Sequence, residues 1–172
     1  MTAEFEVYLA LGSNVGDRAA HLQRAVDALA WAGTVSAVSS AYETEPTGIT
    51  DQPAFLNAAL RLRTRLGPLR LFVFGKSVEF AAGRRPGLRG GPRPLDIDIV
   101  AHGELRWKSP RLEIPHPRFA DRPFVLVPLR EIAPDFVAPG FTASVRTLAD
   151  QAGEAGVQPA SCTIAPATRA GA

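Results

Sequence analysis

The stretch GGPRPLDIDIVAHG, residues 90–103, joins an arginine-bearing loop to an apolar run that contains two aspartates. In a β-strand, successive side chains point to opposite faces of the sheet. The pattern therefore places Ile97 and Ile99 in a core. Asp96 and Asp98 then share the other face, with their Cα atoms about 6–7 Å apart. We expect a strand that is buried on one face and carries paired carboxylates on the other.

The residues before this strand outline the rest of a sheet. Alternating or β-rich apolar runs indicate strands, and apolar residues at helical spacing indicate helices that end near glycine. In chain order, these patterns predict a strand at 6–11, a helix at 21–33, strands at 34–45 and 54–65, a helix at 67–83 and a strand at 95–103. This order matches a ferredoxin-like βαββαβ core, an α+β fold with helices packed on an antiparallel sheet.

The remainder of the chain predicts additions to that core. A short hairpin at 103–107, an apolar helix at 124–134 and a small closing segment at 143–153 follow the sheet. From residue 154 onward the composition turns to Ala, Pro, Ser and Thr without periodicity, which is typical of disorder. We expect one domain over residues 1–153 and a disordered tail over 154–172.

Composition limits the class of protein. A chain of 172 residues can bury one core without disulfides, and its net charge of +2 gives little bulk attraction to nucleic acid or an anionic membrane. Cys162 is the single cysteine, so a Cys-based zinc site is excluded, and no apolar run reaches the ~18 residues that a membrane span needs. We expect a cytoplasmic monomer without an export signal.

Arginines surround the paired aspartates. The glycine-rich segment 83–93 carries Arg84, Arg85, Arg89 and Arg93, whose guanidinium groups can bind phosphate oxygens. An isolated Asp-x-Asp is more often a solvated acidic face than a metal site. Next to a phosphate-binding loop, however, two carboxylates suit Mg²⁺ ions that also bind substrate phosphates. The combination favours phosphoryl chemistry.

Two further motifs are weak by themselves. Gly75-Lys76-Ser77 resembles the end of a Walker A loop, but Arg70 stands where that motif requires glycine. We therefore expect Lys76 to lie on a helix surface, with at most a contact to nucleotide. In LGSNVGDR, residues 11–18, a turn with Asp17 near a helix start is ordinary capping chemistry.

Taken together, LGSNVGDR, DQPAFLNAAL, GPRPLDIDIV and IPHPRFADRPFVLVPL resemble the 6-hydroxymethyl-7,8-dihydropterin pyrophosphokinase family of the folate pathway. The resemblance runs in order from Tyr8 to Pro134, and the 89–100 block is its most specific part. It implies transfer of pyrophosphate from ATP, the co-substrate, to the pterin hydroxymethyl group, with release of AMP. It also implies a monofunctional enzyme, because little chain is left for a fused domain.

The resemblance assigns roles to individual residues. Asp96 and Asp98 would bind two Mg²⁺ ions, and Arg84 and Arg93 would handle phosphates during catalysis. The pterin would contact Thr44, Pro46, Thr47, Gly48, Phe55, Asn57 and Phe124. ATP would contact Lys76, Glu79, Arg84, Arg93, Arg111, His116 and Arg122. Without the resemblance, the phenylalanines could be core residues and the charged residues could be solvated surface.

Two departures from the family pattern concern the loop and the helix before it. Gly90 stands where the family often has tryptophan, and Lys76 replaces a neutral polar residue. Both residues bear on how the arginine loop closes over the nucleotide. Two other functions stay open: another metal-dependent phosphotransferase, and an RNA-binding ferredoxin-like module that uses 83–93 as its arm. RNA binding is disfavoured because the strands offer one aromatic, Phe55, and expose two carboxylates.

Overall fold

A computed structural model describes residues 3–88 and 90–167, so Arg89 of the predicted arginine loop lies outside the described residues. The elements are β1 (Phe5–Ser13), α1 (Arg18–Leu29), β2 (Thr34–Val38), β3 (Tyr42–Thr44), β4 (Phe55–Thr64), α2 (Pro68–Ala81), β5 (Asp96–His102), β6 (Trp107–Lys108), β7 (Glu113–Ile114), a 3₁₀ turn (Phe119–Asp121), α3 (Pro123–Ile132), α4 (Val145–Ala152) and β8 (Val157–Pro159). Within these residues, no helix is both long and apolar enough to cross a membrane.

The main sheet is antiparallel, with the order β5-β1-β4-β3-β8 and with β2 also paired to β4. The predicted βαββαβ core is therefore confirmed. The segment 34–45, predicted as one strand, forms β2 and β3 instead. Between them the Ser39 hydroxyl accepts a hydrogen bond from Ala59 N at 2.8 Å, so a side chain takes the place of a ladder bond there.

Helices α1 and α2 cover one face of the sheet. Leu22, Val26 and Leu71 from these helices join Leu9, Leu60 and Ile97 from the strands in one core. Ile97 and Ile99 are 4% and 5% exposed, as their alternation with the aspartates predicts. The aspartates consequently point away from these helices.

Helices α3 and α4 cover part of the opposite face. Leu126 and Leu129 of α3 and Ala149 of α4 pack with Tyr8 and Ala59 of the sheet. This second layer reaches only part of that face. The part next to Asp96 and Asp98 borders an open cleft.

The prediction of a disordered tail over 154–172 is wrong for the residues that the structure describes. Strand β8 pairs with β3, and Ile164 is 4% exposed in the core under α1. Ala165 exchanges two hydrogen bonds with the Gln23 side chain, at 2.9 and 3.1 Å. Backbone pairing at a sheet edge needs no apolar periodicity, so composition alone does not reveal it. Residues 168–172 lie outside the described range.

Candidate active site

A cleft of about 680 Å³ opens where β1, β4 and β5 come together on the face away from α1 and α2. Its lining includes thirteen of the residues nominated from sequence: Thr44, Thr47, Gly48, Phe55, Asn57, Lys76, Arg84, Arg93, Asp96, Asp98, His116, Arg122 and Phe124. Three nominated residues do not line it. Pro46 and Arg111 lie outside it, Arg111 being exposed, and Glu79 is buried beneath it.

Strand register explains why these residues meet. Gly12 of β1 lies opposite Asp96 on one side and Asn57 on the other. Ala10 lies opposite Asp98. Because side chains alternate along each strand, the carboxylates of β5 and the amide of β4 face the same side of the sheet.

Asp96 is held by two arginines. Arg84 Nη1 donates to its Oδ1 at 2.6 Å, and Arg93 Nε donates to its Oδ2 at 2.8 Å. Burial acts to raise the pKa of Asp96, but the charges of Arg93 and Arg84 outweigh it and hold the pKa below its usual value. Asp96 is therefore an ionised carboxylate whose two oxygens are both engaged.

Asp98 has the opposite electrostatic environment. Burial, and next the charge of Asp96, raise the pKa of Asp98 to about 6. Because Asp96 carries a negative charge on the same strand face, the ionised form of Asp98 is disfavoured. A divalent cation bound between the two carboxylates would offset this repulsion.

The residues fit Mg²⁺ that arrives with a phosphate substrate. Within residues 3–88 and 90–167, no group of three or more His, Cys, Asp or Glu side chains is arranged to hold a metal ion. Two carboxylates nevertheless suffice for Mg²⁺, which typically takes one or two of them and completes its shell with water and phosphate oxygens.

Glu79 connects α2 to the aspartate strand. Its Oε1 accepts from Ile97 N and from Lys76 Nζ, both at 2.7 Å, and its Oε2 lies 3.0 Å from Arg84 Nη1. Ile97 is the residue between the two aspartates. Glu79 is 2% exposed. It also borders a second cavity of about 420 Å³ between α2 and the arginine loop.

The side of the cleft nominated for the pterin is built around Asn57. Its Nδ2 donates to Thr44 Oγ1 at 2.5 Å. The Arg93 guanidinium lies 4.7 Å from the centre of the Phe55 ring, and the Arg122 guanidinium lies 5.4 Å from the centre of the Phe124 ring. Each aromatic ring is thus covered by a cation that a phosphate could attract away.

Two cations, Arg122 and Arg118, lie near His116 in the cleft. The pKa of His116 is lowered to about 4, first by burial and then by Arg122 and Arg118. Its Nδ1 accepts a hydrogen bond from Arg118 N at 3.2 Å, so the neutral ring carries its proton on Nε2. Arg118 and Arg122 both line the cleft, where five cationic side chains face three carboxylates.

Sequence reasoning missed several residues here. Arg118 was not predicted to be a site residue. It lies between His116 and Arg122, which were predicted, and that position in the sequence could have identified it. Gly12 faces Asn57, and a Cβ on Gly12 would lie 2.8 Å from Asn57 Oδ1. Asn14 is 2% exposed, and a buried amide needs partners, which was also a usable signal.

Gly90, the departure noted in the sequence, adopts φ +80°. Space around a Cβ at this position is open, but the left-handed backbone disfavours a side chain. Its carbonyl accepts from Gln52 Nε2 at 2.9 Å. The loop conformation is therefore one that glycine permits and tryptophan does not favour.

Residues 8–134 match the model of the family described as 7,8-dihydro-6-hydroxymethylpterin-pyrophosphokinase (HPPK). The chain is 47% identical over 137 residues to the 2-amino-4-hydroxy-6-hydroxymethyldihydropteridine pyrophosphokinase of Methylorubrum extorquens, covering 78% of this chain and 87% of that protein. The Bacillus subtilis protein of that name is 45% identical over 127 residues, covering 73% of this chain and 76% of its own length.

Longer relatives exist as well. The mitochondrial folate synthesis bifunctional protein of Pisum sativum is 44% identical over 132 residues, which are 76% of this chain and 26% of that protein. The chain thus spans about a quarter of the plant relatives it matches. A crystal structure of Plasmodium falciparum HPPK-DHPS shares the fold with a TM-score of 0.73 at 15% identity, over 88% of this chain and 44% of that one. With the family match over most of its length, the chain belongs to the 7,8-dihydro-6-hydroxymethylpterin-pyrophosphokinase family.

Proposed function

We propose that this chain transfers pyrophosphate from ATP to the hydroxymethyl oxygen of 6-hydroxymethyl-7,8-dihydropterin, releasing AMP, as a step of folate biosynthesis. One observation carries the proposal. A single sheet face brings a pocket with an amide and two aromatic rings beside paired carboxylates and four cleft-lining arginines. A flat polar heterocycle and a polyphosphate can therefore lie in contact in one cleft.

The pterin ring would lie between Phe55 and Phe124, with Asn57 and Thr44 at its polar edge. A side-chain amide offers both a donor and an acceptor, as such an edge requires. For the ring to stack, Arg93 and Arg122 must leave the aromatic faces that they cover. Phosphate oxygens give both guanidinium groups better partners than a ring face does.

ATP would enter on the cationic side, next to His116, Arg118 and Arg122. His116, neutral because its pKa is lowered to about 4, can contact the nucleotide as a hydrogen-bond donor without adding charge. Arg84 and Arg93 would transfer from Asp96 to the phosphates. This exchange frees both carboxylate oxygens of Asp96.

Asp96 and Asp98 would then hold two Mg²⁺ ions. When bound, Mg²⁺ neutralises phosphate charge and polarises the attacking hydroxyl. The hydroxymethyl oxygen bonds to the β-phosphorus, the bond from that phosphorus to the α–β bridging oxygen breaks, and the hydroxyl proton is released. The chain's own contribution is to align the hydroxyl with that phosphorus and to exclude water from it.

We further propose that the enzyme works as a cytoplasmic monomer whose partners are ATP and the pterin, with no membrane or nucleic acid. The near-neutral net charge of +2 and a single cysteine support this assignment.

The test is to incubate the protein with ATP, Mg²⁺ and 6-hydroxymethyl-7,8-dihydropterin and to separate the nucleotides. AMP should form in step with the pterin diphosphate. ADP in place of AMP would assign the cleft to another phosphotransferase. Tight, steeply salt-dependent RNA binding without turnover would favour the RNA-binding function.

A further inference from the structure

The loop between β3 and β4, residues 45–54, brings Thr47 and Gly48 to the cleft. It begins after Thr44 and ends before Phe55, which are partners in the β3–β4 ladder. Both of these flanking residues line the cleft. The shape of the pterin side therefore depends on what holds the two ends of this loop.

Arg18, the first residue of α1, contacts both ends. Its Nη1 and Nη2 donate to the two carboxylate oxygens of Glu43 at 2.7 and 2.6 Å. Its Nη1 also donates to Ala54 O at 2.9 Å. Glu43 directly precedes Thr44, and Ala54 directly precedes Phe55. One guanidinium thus ties together the neighbours of two cleft residues.

Arg18 makes these contacts from the far side of the sheet. Glu43 pairs with Leu56, and Leu56 belongs to the core under α1 and α2. Neither Arg18 nor Glu43 is among the residues that line the cleft. Any effect of this pair on substrate must therefore pass through the strand and loop that it holds.

The geometry is specific, whereas the expected effect on global stability is small. A planar guanidinium matches both carboxylate oxygens at once, which fixes direction as well as distance. The two side chains are 30% and 39% exposed, and ion pairs so close to water contribute little to folding. Their loss should change the loop more than the fold.

We infer that Arg18 and Glu43 are positioning residues for pterin binding, an inference that rests on the proposed function. They hold Thr44 and Phe55 in the arrangement that the pterin needs, before it binds. A preformed loop lowers the conformational cost of binding. Among the residues that the structure describes, the hydrogen bonds within and from this pair reach none of the side chains nominated for ATP.

The experiment compares Arg18→Ala and Glu43→Gln with Arg24→Ala, a control that removes an exposed arginine from the same helix. We measure the pterin KM and kcat, the affinity for a non-hydrolysable ATP analogue, and thermal unfolding. Arg18→Ala and Glu43→Gln should each raise the pterin KM on the order of tenfold. The kcat at saturation, the affinity for the analogue and the melting temperature should stay close to those of Arg24→Ala. Arg18→Lys, which keeps charge but loses the fork, should fall between wild type and Arg18→Ala.

The outcomes separate this inference from the proposed function. Absence of AMP formation by the wild type would reject the function itself. If the wild type is active but both variants match Arg24→Ala in pterin KM, the positioning role is wrong. Equal losses of pterin and ATP-analogue affinity, or a large drop in melting temperature in both variants, would show a general structural role and also overturn the inference.

Discussion

Asn14 and Gln52 join the two loops that flank the cleft through a hydrogen bond of 2.9 Å from Asn14 Nδ2 to Gln52 Oε1. Asn14 Oδ1 also accepts from Arg93 N at 2.8 Å. Gln52 Nε2 donates to Ile49 O at 2.7 Å and to Gly90 O at 2.9 Å. Two amides therefore couple the loop nominated for the pterin to the arginine loop nominated for ATP.

The first prediction concerns this coupling. Gln52→Ala should lower the free energy of unfolding by about 0.5–1.5 kcal/mol, because the buried Asn14 amide loses its hydrogen bond to Gln52 Oε1 and keeps only Pro53 O, at 3.0 Å, as an acceptor for its NH₂ group. It should also raise the KM values of both substrates, since both loops lose a tether. Steady-state kinetics and denaturant melts check this. Gln151→Ala, an exposed change on α4, is the control, and indistinguishable behaviour of the two variants would contradict the prediction.

A second prediction concerns Gly12. An added methyl group would lie 2.8 Å from Asn57 Oδ1, so Gly12→Ala should push Asn57 away from Thr44. Pterin affinity should fall on the order of tenfold, because the site loses a preset hydrogen-bonding group. Gly67→Ala is the matched control, because a Cβ at Gly67 would have no atom within 4 Å. Calorimetric titration with the pterin measures this affinity. Unchanged affinity in Gly12→Ala would show that Asn57 does not contribute to pterin binding.

Part of this site could be predicted from sequence because strand periodicity is local. The alternation over residues 95–99 alone places Asp96 and Asp98 on one face. No local pattern shows that Glu79 accepts from Ile97 N, that Arg18 reaches Ala54 O, or that Gln52 reaches Gly90 O. These contacts depend on how distant segments are packed.

The same limit applies to the C-terminal segment. Its strand is held by backbone bonds to β3, which any residue except proline can donate. Ile164 is one buried apolar residue in a segment of small side chains, too few for a period to emerge. Composition therefore predicted disorder where an edge strand forms.

A third prediction tests that segment directly. Ile164 is 4% exposed, so Ile164→Ala should lower the free energy of unfolding by about 2–4 kcal/mol. Val137→Ala removes a side chain that is 42% exposed and should change stability much less. Denaturant unfolding monitored by circular dichroism compares the two. Equal stability of both variants would mean that the tail does not pack under α1 in solution.

A fourth prediction concerns pH. The pKa of His116 is lowered from 6.5 to about 4, chiefly by burial, so the unfolded chain binds the proton more readily than the folded chain. Stability from neutral His116 is complete above pH 6.5 and is lost as pH falls toward 4. The loss should be on the order of 2 kcal/mol. His116→Asn should flatten this part of the stability profile, as urea melts at pH 8, 6 and 4.5 would show. Parallel profiles for the two proteins would contradict it.

The last prediction separates the two aspartates. Asp98→Asn removes a carboxylate whose pKa is raised to about 6 by burial and by Asp96, so the melting temperature without Mg²⁺ should hold or rise. Asp96→Asn should lower it, because Arg84 and Arg93 lose a charged partner.

In wild type, Mg²⁺ should add to the stabilisation given by a non-hydrolysable ATP analogue, since ligands stabilise the state they bind. Both variants should lose that metal-dependent increment together with turnover. An increment retained in either variant would show that its carboxylate does not hold the metal, whatever happens to activity.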